Sequence, residues 1–292
     1  MDEKEFVYRP RIVDSALNRK IRGKGAVIVE GPKWCGKTTT AEQFSKSVLS
    51  VDDPATIKTN IMISEMDPEK LLTGEQPRLL DEWQIAPKLW DAVRHHVDNH
   101  KGQGQFILTG SSIPADVSET VHSGTGRFGW ITMRPMTLFE SGDSSGDVSL
   151  KALFESPEIS GSSNIDLDRL AFLTCRGGWP ECIDMDDDVA LDQAFDYIDA
   201  VIRSDMSRVD NIHRNPQKVR TLLRSYARNI GTQTSQAAIS ADISSSDTSK
   251  VSEETVSEYL QALRKIFVVE DMKAWNPNLR SKTAVRTSNT RY

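Results

Sequence analysis

Gly31-Pro32-Lys33-Trp34-Cys35-Gly36-Lys37-Thr38 is the stretch whose reading decides the fold. A glycine, four variable residues and then Gly-Lys-Thr match a loop that turns its backbone N–H groups inward onto phosphate oxygens. Glycines permit that close approach. In such a loop Lys37 reaches the terminal phosphates and the Thr38 hydroxyl serves Mg²⁺. The helix beginning there points its positive end at the anion. The flanks agree: Ala26-Val27-Ile28-Val29 suits a buried strand, and Thr38 to Ser47 carries helix formers. Gly31, Trp34, Cys35, Gly36, Lys37, Thr38 and Thr39 are thus the expected nucleotide-binding residues. Trp34 and Cys35 fill variable positions. Trp34 suits surface or packing better than stacking, and Cys35 raises the question of oxidation.

Outward from the loop, short apolar runs alternate with helical stretches. The runs are Val48 to Val51, Arg78 to Asp81, Gln105 to Thr109 and the weaker Ile131 to Met133, with a helix-like Pro87 to His100. This spacing predicts an α/β fold, a parallel P-loop sheet with flanking helices. A phosphate-binding loop needs an acidic residue at the end of a neighbouring strand. Leu79-Leu80-Asp81-Glu82 supplies it, with Asp81 as the metal carboxylate and Glu82 placed to polarise water. The competing reading of Glu82 is an N-cap for the next helix. Another strand is expected between the loop strand and the acidic one. Its tip offers Ser111 or Thr109 toward the γ-phosphate, against a plain strand-ending turn. Gly124-Thr125-Gly126-Arg127 leads to a single arginine. Arg127 is the candidate arginine finger, acting in cis or on a neighbouring subunit, which would imply a homo-oligomer. Arg134 is its reserve, and a plain surface arginine the bland reading. No Asn-Lys-x-Asp motif is present, so ATP is favoured over GTP.

The chain has 292 residues, 38% hydrophobic and 27% charged, with a formal net charge of −6. These values suit a globular protein and argue against a generally basic, nucleic-acid-coating surface. No apolar stretch approaches the roughly 18 residues of a membrane span, and the acidic N-terminus lacks a signal-peptide core. Three cysteines without a CxxC pair read as free thiols of a cytoplasmic protein.

Beyond Glu140 the composition turns to serine, glycine and acidic residues as far as Asn164, and Asp184 to Asp210 reads as an acidic-faced helix. Val219, Leu222, Leu223, Tyr226 and Ile230 recur at helical spacing. Ser235 to Ala241 suggests a second helix. Ser252 caps a third, with a stripe of Val256, Tyr259 or Leu260, Leu263 and Phe267. Val268-Val269 then reads as a strand and Trp275-Asn276-Pro277-Asn278 as a turn. Three helices and a hairpin outline a winged helix. The expected domains are a P-loop ATPase domain over 1–140, a helical lid or linker over 141–211 and a winged-helix-like domain over 212–292.

Several longer runs resemble a bacterial and archaeal family of AAA-like ATPases. They are the phosphate loop, Leu-Leu-Asp-Glu-Trp-Gln from Leu79, Leu-Thr-Gly-Ser-Ser from Leu108, and Gly126-Arg127-Phe128 followed by Met-Arg-Pro-Met-Thr-Leu-Phe-Glu from Met133. Arg176-Gly-Gly-Trp-Pro-Glu and Ala274-Trp-Asn-Pro-Asn-Leu-Arg-Ser-Lys also fit. The resemblance implies ATP and Mg²⁺ as ligands, a winged-helix-like segment, and normally a further C-terminal domain of unknown function. Because the chain stops at Tyr292, that domain is expected to be missing. For DNA, the residues from Lys273 to Tyr292 include Arg280, Lys282, Arg286 and Arg291 and no acid, and Arg220, Arg224 and Arg228 share a helix face. Glu253, Glu254 and Glu258 on the presumed recognition helix oppose phosphate. DNA contact and protein packing both stay open for this module.

Overall fold

The computed structural model describes residues 7–111, 124–208, 212–246, 251–272 and 290–291, with backbone alone at Arg208, Ser246, Thr290 and Arg291. Two compact units result, Met1–Asp196 and Tyr197–Tyr292. The 141–211 segment expected from sequence spans that division.

The first unit is built on β1 (Ala26–Glu30), β2 (Ser47–Ser50), β3 (Arg78–Asp81), β4 (Phe106–Gly110) and β5 (Phe128–Thr132). They form one sheet in the order β2-β3-β4-β1-β5, and every neighbouring pair is parallel. β4 separates the loop strand from the acidic strand, as expected. Strands of a parallel sheet are buried on both faces and so read as continuous apolar runs. Alternation then sorts the side chains. Ile28, Leu80, Leu108 and Phe106 pack on one face with Trp83, Leu89, Trp90 and Val93. Val27, Val29, Leu79 and Ile107 pack on the other with Leu17, Cys35, Ala41 and Met133. Trp90 stacks on Phe128 with ring centroids 4.4 Å apart.

Helix α1 (Val13–Ile21) precedes β1, and α2 (Lys37–Glu42), α3 (Ile57–Met66) and α4 (Lys88–Asn99) connect β1 to β2, β2 to β3 and β3 to β4. α2 is shorter than the helix expected over Thr38 to Ser47. After β5 come α5 (Leu150–Glu155), α6 (Leu167–Arg176) and α7 (Asp187–Ala200). Met136 N–H donates to Gly178 O at 2.6 Å, and a methyl group on Gly178 would meet Met136 O at 2.1 Å. The glycine lets the two backbones touch.

In the second unit, a π-helical turn over Val201–Asp205 leads to α8 (Met206–Arg208), α9 (Pro216–Arg228), α10 (Gln236–Ser246), α11 (Glu253–Lys265), β6 (Asp271–Met272) and β7 (Thr290–Arg291). Asn215 caps α9 by accepting from Gln217 N and Lys218 N, and Ser252 caps α11 by accepting from Thr255 N at 3.2 Å. Val219, Leu222, Tyr226, Val256, Leu260 and Leu263 are buried. Two expectations are corrected. Ile230 lies beyond the end of α9 and is 58% exposed, so it leaves the buried stripe. Val268-Val269 is not a strand. Phe267 takes a left-handed φ of 59°, and Val268 N bonds Leu263 O while Phe267 N bonds Arg264 O. That is a Schellman close, made here by phenylalanine where glycine is usual. Among the described residues of this unit, strand pairing is at Asp271–Met272, antiparallel to Thr290–Arg291.

Arg220 and Arg228, read as a phosphate-facing row, pair with Asp199 and Asp242 respectively. The turn at Trp275 to Asn278 and the basic residues Arg280, Lys282 and Arg286 lie outside the described residues, as does the Arg291 side chain.

Candidate functional site

Parallel strands place their carboxyl ends along one edge, where ligands of open α/β sheets bind. Register puts Asp81 opposite Thr109 and Thr109 opposite Val29, one residue before the end of β1. The loop from Gly31 leaves that edge. Gly31 packs so closely that a Cβ there would meet Met133 O at 2.1 Å, and Gly36 turns into α2 at a left-handed φ of 91°. Both positions need glycine, for different reasons.

Lys37 is buried at 5% exposure. Its Nζ donates to Gly31 O at 3.0 Å and Pro32 O at 2.8 Å. The loop carbonyls thus hold the ammonium inside the curve that the glycine pattern predicts. Thr38 Oγ1 donates to Asp81 Oδ1 at 2.9 Å, and Thr109 Oγ1 donates to the same oxygen. A hydroxyl and a carboxylate side by side are hard oxygen donors of the kind Mg²⁺ prefers, so these residues fit the ion expected from sequence.

Glu82 has a left-handed φ of 53° and makes no side-chain cap bond to the 3-10 turn Trp83–Ile85 that follows. The N-cap reading of its carboxylate is therefore not what the structure displays. Instead Glu82 Oε2 accepts from Ser111 Oγ at 3.2 Å and from Gln84 Nε2. A left-handed, non-glycine residue costs about 1–3 kcal/mol and marks a position held by its surroundings.

Trp34 is 54% exposed. Cys35 is fully buried and its Sγ donates to Met133 O at 3.8 Å. Burial pushes the Cys35 thiol up, against the lowering charges of Lys37 and Arg11. A buried, protonated thiol is a poor nucleophile, so oxidation sensitivity through Cys35 is not supported. Cys35 can meet a nucleotide only with its backbone.

Arg127 is not at this edge. Phe128 pairs with Ala26, the first residue of β1, so Arg127 precedes β5 at the opposite end of the sheet. Its Nε donates to Asp98 Oδ1 at 2.6 Å and its Nη1 to Thr125 O at 3.2 Å. A cis role toward the chain's own loop is thereby corrected. Arg134 follows β5 at the correct edge.

Sequence reading missed Arg11. It is 6% exposed. It donates to Cys35 O at 2.7 Å, Arg134 O at 2.7 Å and Glu140 Oε1 at 3.0 Å. One guanidinium thus joins the phosphate loop to the chain leaving β5. Nearby, Tyr8 OH donates to Asp14 Oδ1 at 2.8 Å and lies 3.1 Å from Thr40 Oγ1. Burial is the main reason that its pKa is pushed up to about 12. Pro180 also reaches the loop, since a Cβ on Gly36 would come within 3.4 Å of its Cγ. The only sequence hint of these contacts is Tyr8-Arg9-Pro10-Arg11 placed just before a helix.

Burial alone would raise the Glu140 carboxyl. The Thr137 and Ile12 N–H donors, with the charge and donors of Arg11, hold it below the ordinary value. A depressed carboxylate contributes stability that is full above its unfolded pKa of about 4.3 and is lost as pH falls through the folded value. Glu140→Gln is expected to remove that contribution and so flatten the fall of melting temperature below about pH 4. Thermal melts of the two proteins across the acid range check this; parallel acid limbs would refute it.

No curated protein matches this chain. A family model described as a domain of unknown function (DUF8612) matches residues 167–292. Such a domain is therefore present, which corrects the expectation that it is missing. Among solved structures, the Walker-type ATPase PABY2304 of Pyrococcus abyssi matches with a TM-score of 0.54 at 13% identity, over 91% of this chain and 91% of that one. That likeness is one of fold. The Aeropyrum pernix ORC1 protein in complex with DNA matches at a TM-score of only 0.28 and 13% identity, over 96% of this chain and 86% of that one. A second family model, described as an AAA domain, covers residues 23–141, the span that holds the sheet, the loop, Asp81 and Glu82. Residues 23–141 accordingly match an AAA domain and carry a P-loop NTPase fold.

Proposed function

We propose that the chain binds ATP with Mg²⁺ and hydrolyses it. Gly31, Gly36, Lys37, Thr38 and Thr39 hold the phosphates, with the Trp34 and Cys35 backbone in the loop. The observation that carries this reading is the Thr38 hydroxyl 2.9 Å from the Asp81 carboxylate, beside a buried Lys37. Thr38 and Asp81 would hold the ion, directly or through water, and the ion supplies charge neutralisation on the phosphates. Glu82 takes a proton from water as the water oxygen bonds the γ-phosphorus. The bond to the bridging oxygen breaks, ADP leaves with that electron pair, and the proton passes on to inorganic phosphate. Ser111 holds the Glu82 carboxylate.

Hydrolysis is coupled in this proposal to movement of the 212–292 module, a winged-helix-like arrangement of α9, α10, α11 and the β6–β7 pair. The working location is the cytoplasm; among the described residues no helix is long and apolar enough to cross a membrane. A second reading is an ATP-gated protein- or DNA-binding switch with little turnover. It is favoured by the placement of Arg127 against Asp98, away from the chain's own loop. An arginine would then come from a neighbouring copy in a homo-oligomer.

ATP affinity, turnover and solution mass, measured with and without DNA at stated salt, test these readings together. Lys37→Ala is expected to weaken ATP binding about 10- to 100-fold, the loss of a charge-assisted contact of roughly 1.5–3 kcal/mol. Parent affinity in Lys37→Ala would remove the basis of the proposal. Turnover that rises with mass favours the oligomeric ATPase, and binding without turnover at any mass favours the switch.

A further inference from the structure

Gln84 stands two residues beyond Glu82, in the Trp83–Ile85 turn. Its Nε2 donates to Glu82 Oε2, the oxygen that also accepts from Ser111. The orientation of the amide is settled by chemistry, because an ionised carboxylate accepts and never donates. The other amide atom, Oε1, is therefore turned away from the glutamate. It is buried and has no hydrogen-bond partner among the described residues. Gln84 Oε1 lies over the last residue of β4: a Cβ built on Gly110 would come within 2.6 Å of it. Gly110 precedes Ser111, so the amide is wedged between the glutamate and the tip of the neighbouring strand.

A buried acceptor left without a donor costs roughly 1–3 kcal/mol. Such atoms are uncommon in folded proteins and call for a reason. Here the atom shares an amide carbon with the group that grips Glu82, so that cost is borne where the carboxylate is held. We infer that Gln84 is a positioning residue of the hydrolytic site. Wedged against Gly110, its amide cannot turn freely, and its Nε2 fixes the Glu82 carboxylate in one orientation. The carboxylate is then set to take its proton from a water in one position. The inference rests on the reading of Glu82 as base and goes beyond it by assigning the group that orients the base.

Steady-state ATP hydrolysis by the full chain tests this, with ATP affinity and melting temperature followed in the same variants. Gln84→Ala is expected to lower kcat by about tenfold or more, within the range that positioned proton transfer contributes, with KM and ATP affinity near those of the parent. Gly110→Ala keeps Gln84 in the chain and displaces only its amide; the same loss in kcat is expected. A packing role would shift the melting temperature and leave kcat near that of the parent.

Parent kcat in Gln84→Ala or in Gly110→Ala overturns the role of Gln84. If Glu82→Gln abolishes turnover in the same series, the base reading survives that failure. Parent turnover in Glu82→Gln overturns the base reading itself.

Discussion

Replacing Glu82 with glutamine is expected to reduce ATP turnover by about 10²- to 10⁴-fold, the usual contribution of a positioned base. ATP affinity should stay within a few-fold of the parent, because the loop, Lys37 and the Thr38–Asp81 pair are untouched. The substitution is close to isosteric, so Ser111 keeps a partner, whereas Gln84 Nε2 would face an amide that both donates and accepts. The change therefore removes basicity with little disturbance of packing. A nucleotide-binding assay and a phosphate-release assay on one preparation check the two halves together. Equal loss of affinity and turnover would mean that Glu82 organises the loop instead of activating water.

The second large effect is expected at Arg11→Ala, and in stability. The side chains of Arg11 and Glu140 are 3% and 5% exposed. Truncating one member of a buried ion pair leaves the other charge uncompensated, at about 3–5 kcal/mol. The same guanidinium satisfies Cys35 O and Arg134 O, so two carbonyls lose their donor as well. Chemical denaturation of the parent, Arg11→Ala, Glu140→Gln and the double variant would measure the coupling. Near-additive losses would show that the pair acts as two independent groups. Lost stability should appear together with weaker ATP binding, since the loop backbone is what Arg11 holds.

Some of this was readable from the chain. The glycine–lysine–threonine spacing and the Asp81–Glu82 pair are legible because phosphate geometry constrains residues that are neighbours in sequence. β4 between β1 and β3 follows from the same logic. The cis reading of Arg127 fails on a strand boundary. A β5 at Ile131 to Met133 would leave Arg127 in an approach loop; with β5 beginning at Phe128, it lies at the amino end. In a parallel sheet that is the end away from the phosphates. The Arg11–Glu140 pair joins residues 129 apart, and no local pattern announces such a contact. The arginine row on α9 was placed on one helix face from its spacing, yet the aspartates that engage two of its members come from other elements. Helical periodicity says which face a residue takes and is silent on what waits opposite it. Phe267 illustrates the same limit at a helix end, where a left-handed residue without glycine gave no warning.

Five strands running one way make the sheet a polar object with two unlike rims. At one rim Gly25 N–H donates to Arg127 O and Gly104 N–H to Lys24 O. At the other rim stand Glu30, Asp81 and Thr109, each a residue or less from a group with a proposed chemical task. Amino-acid changes at the first rim are expected to register as altered melting alone, whereas changes at the second are expected to alter rate as well. A tag, a label or a crystallisation contact introduced around Arg127 could thus be borne by the molecule without being felt by the nucleotide.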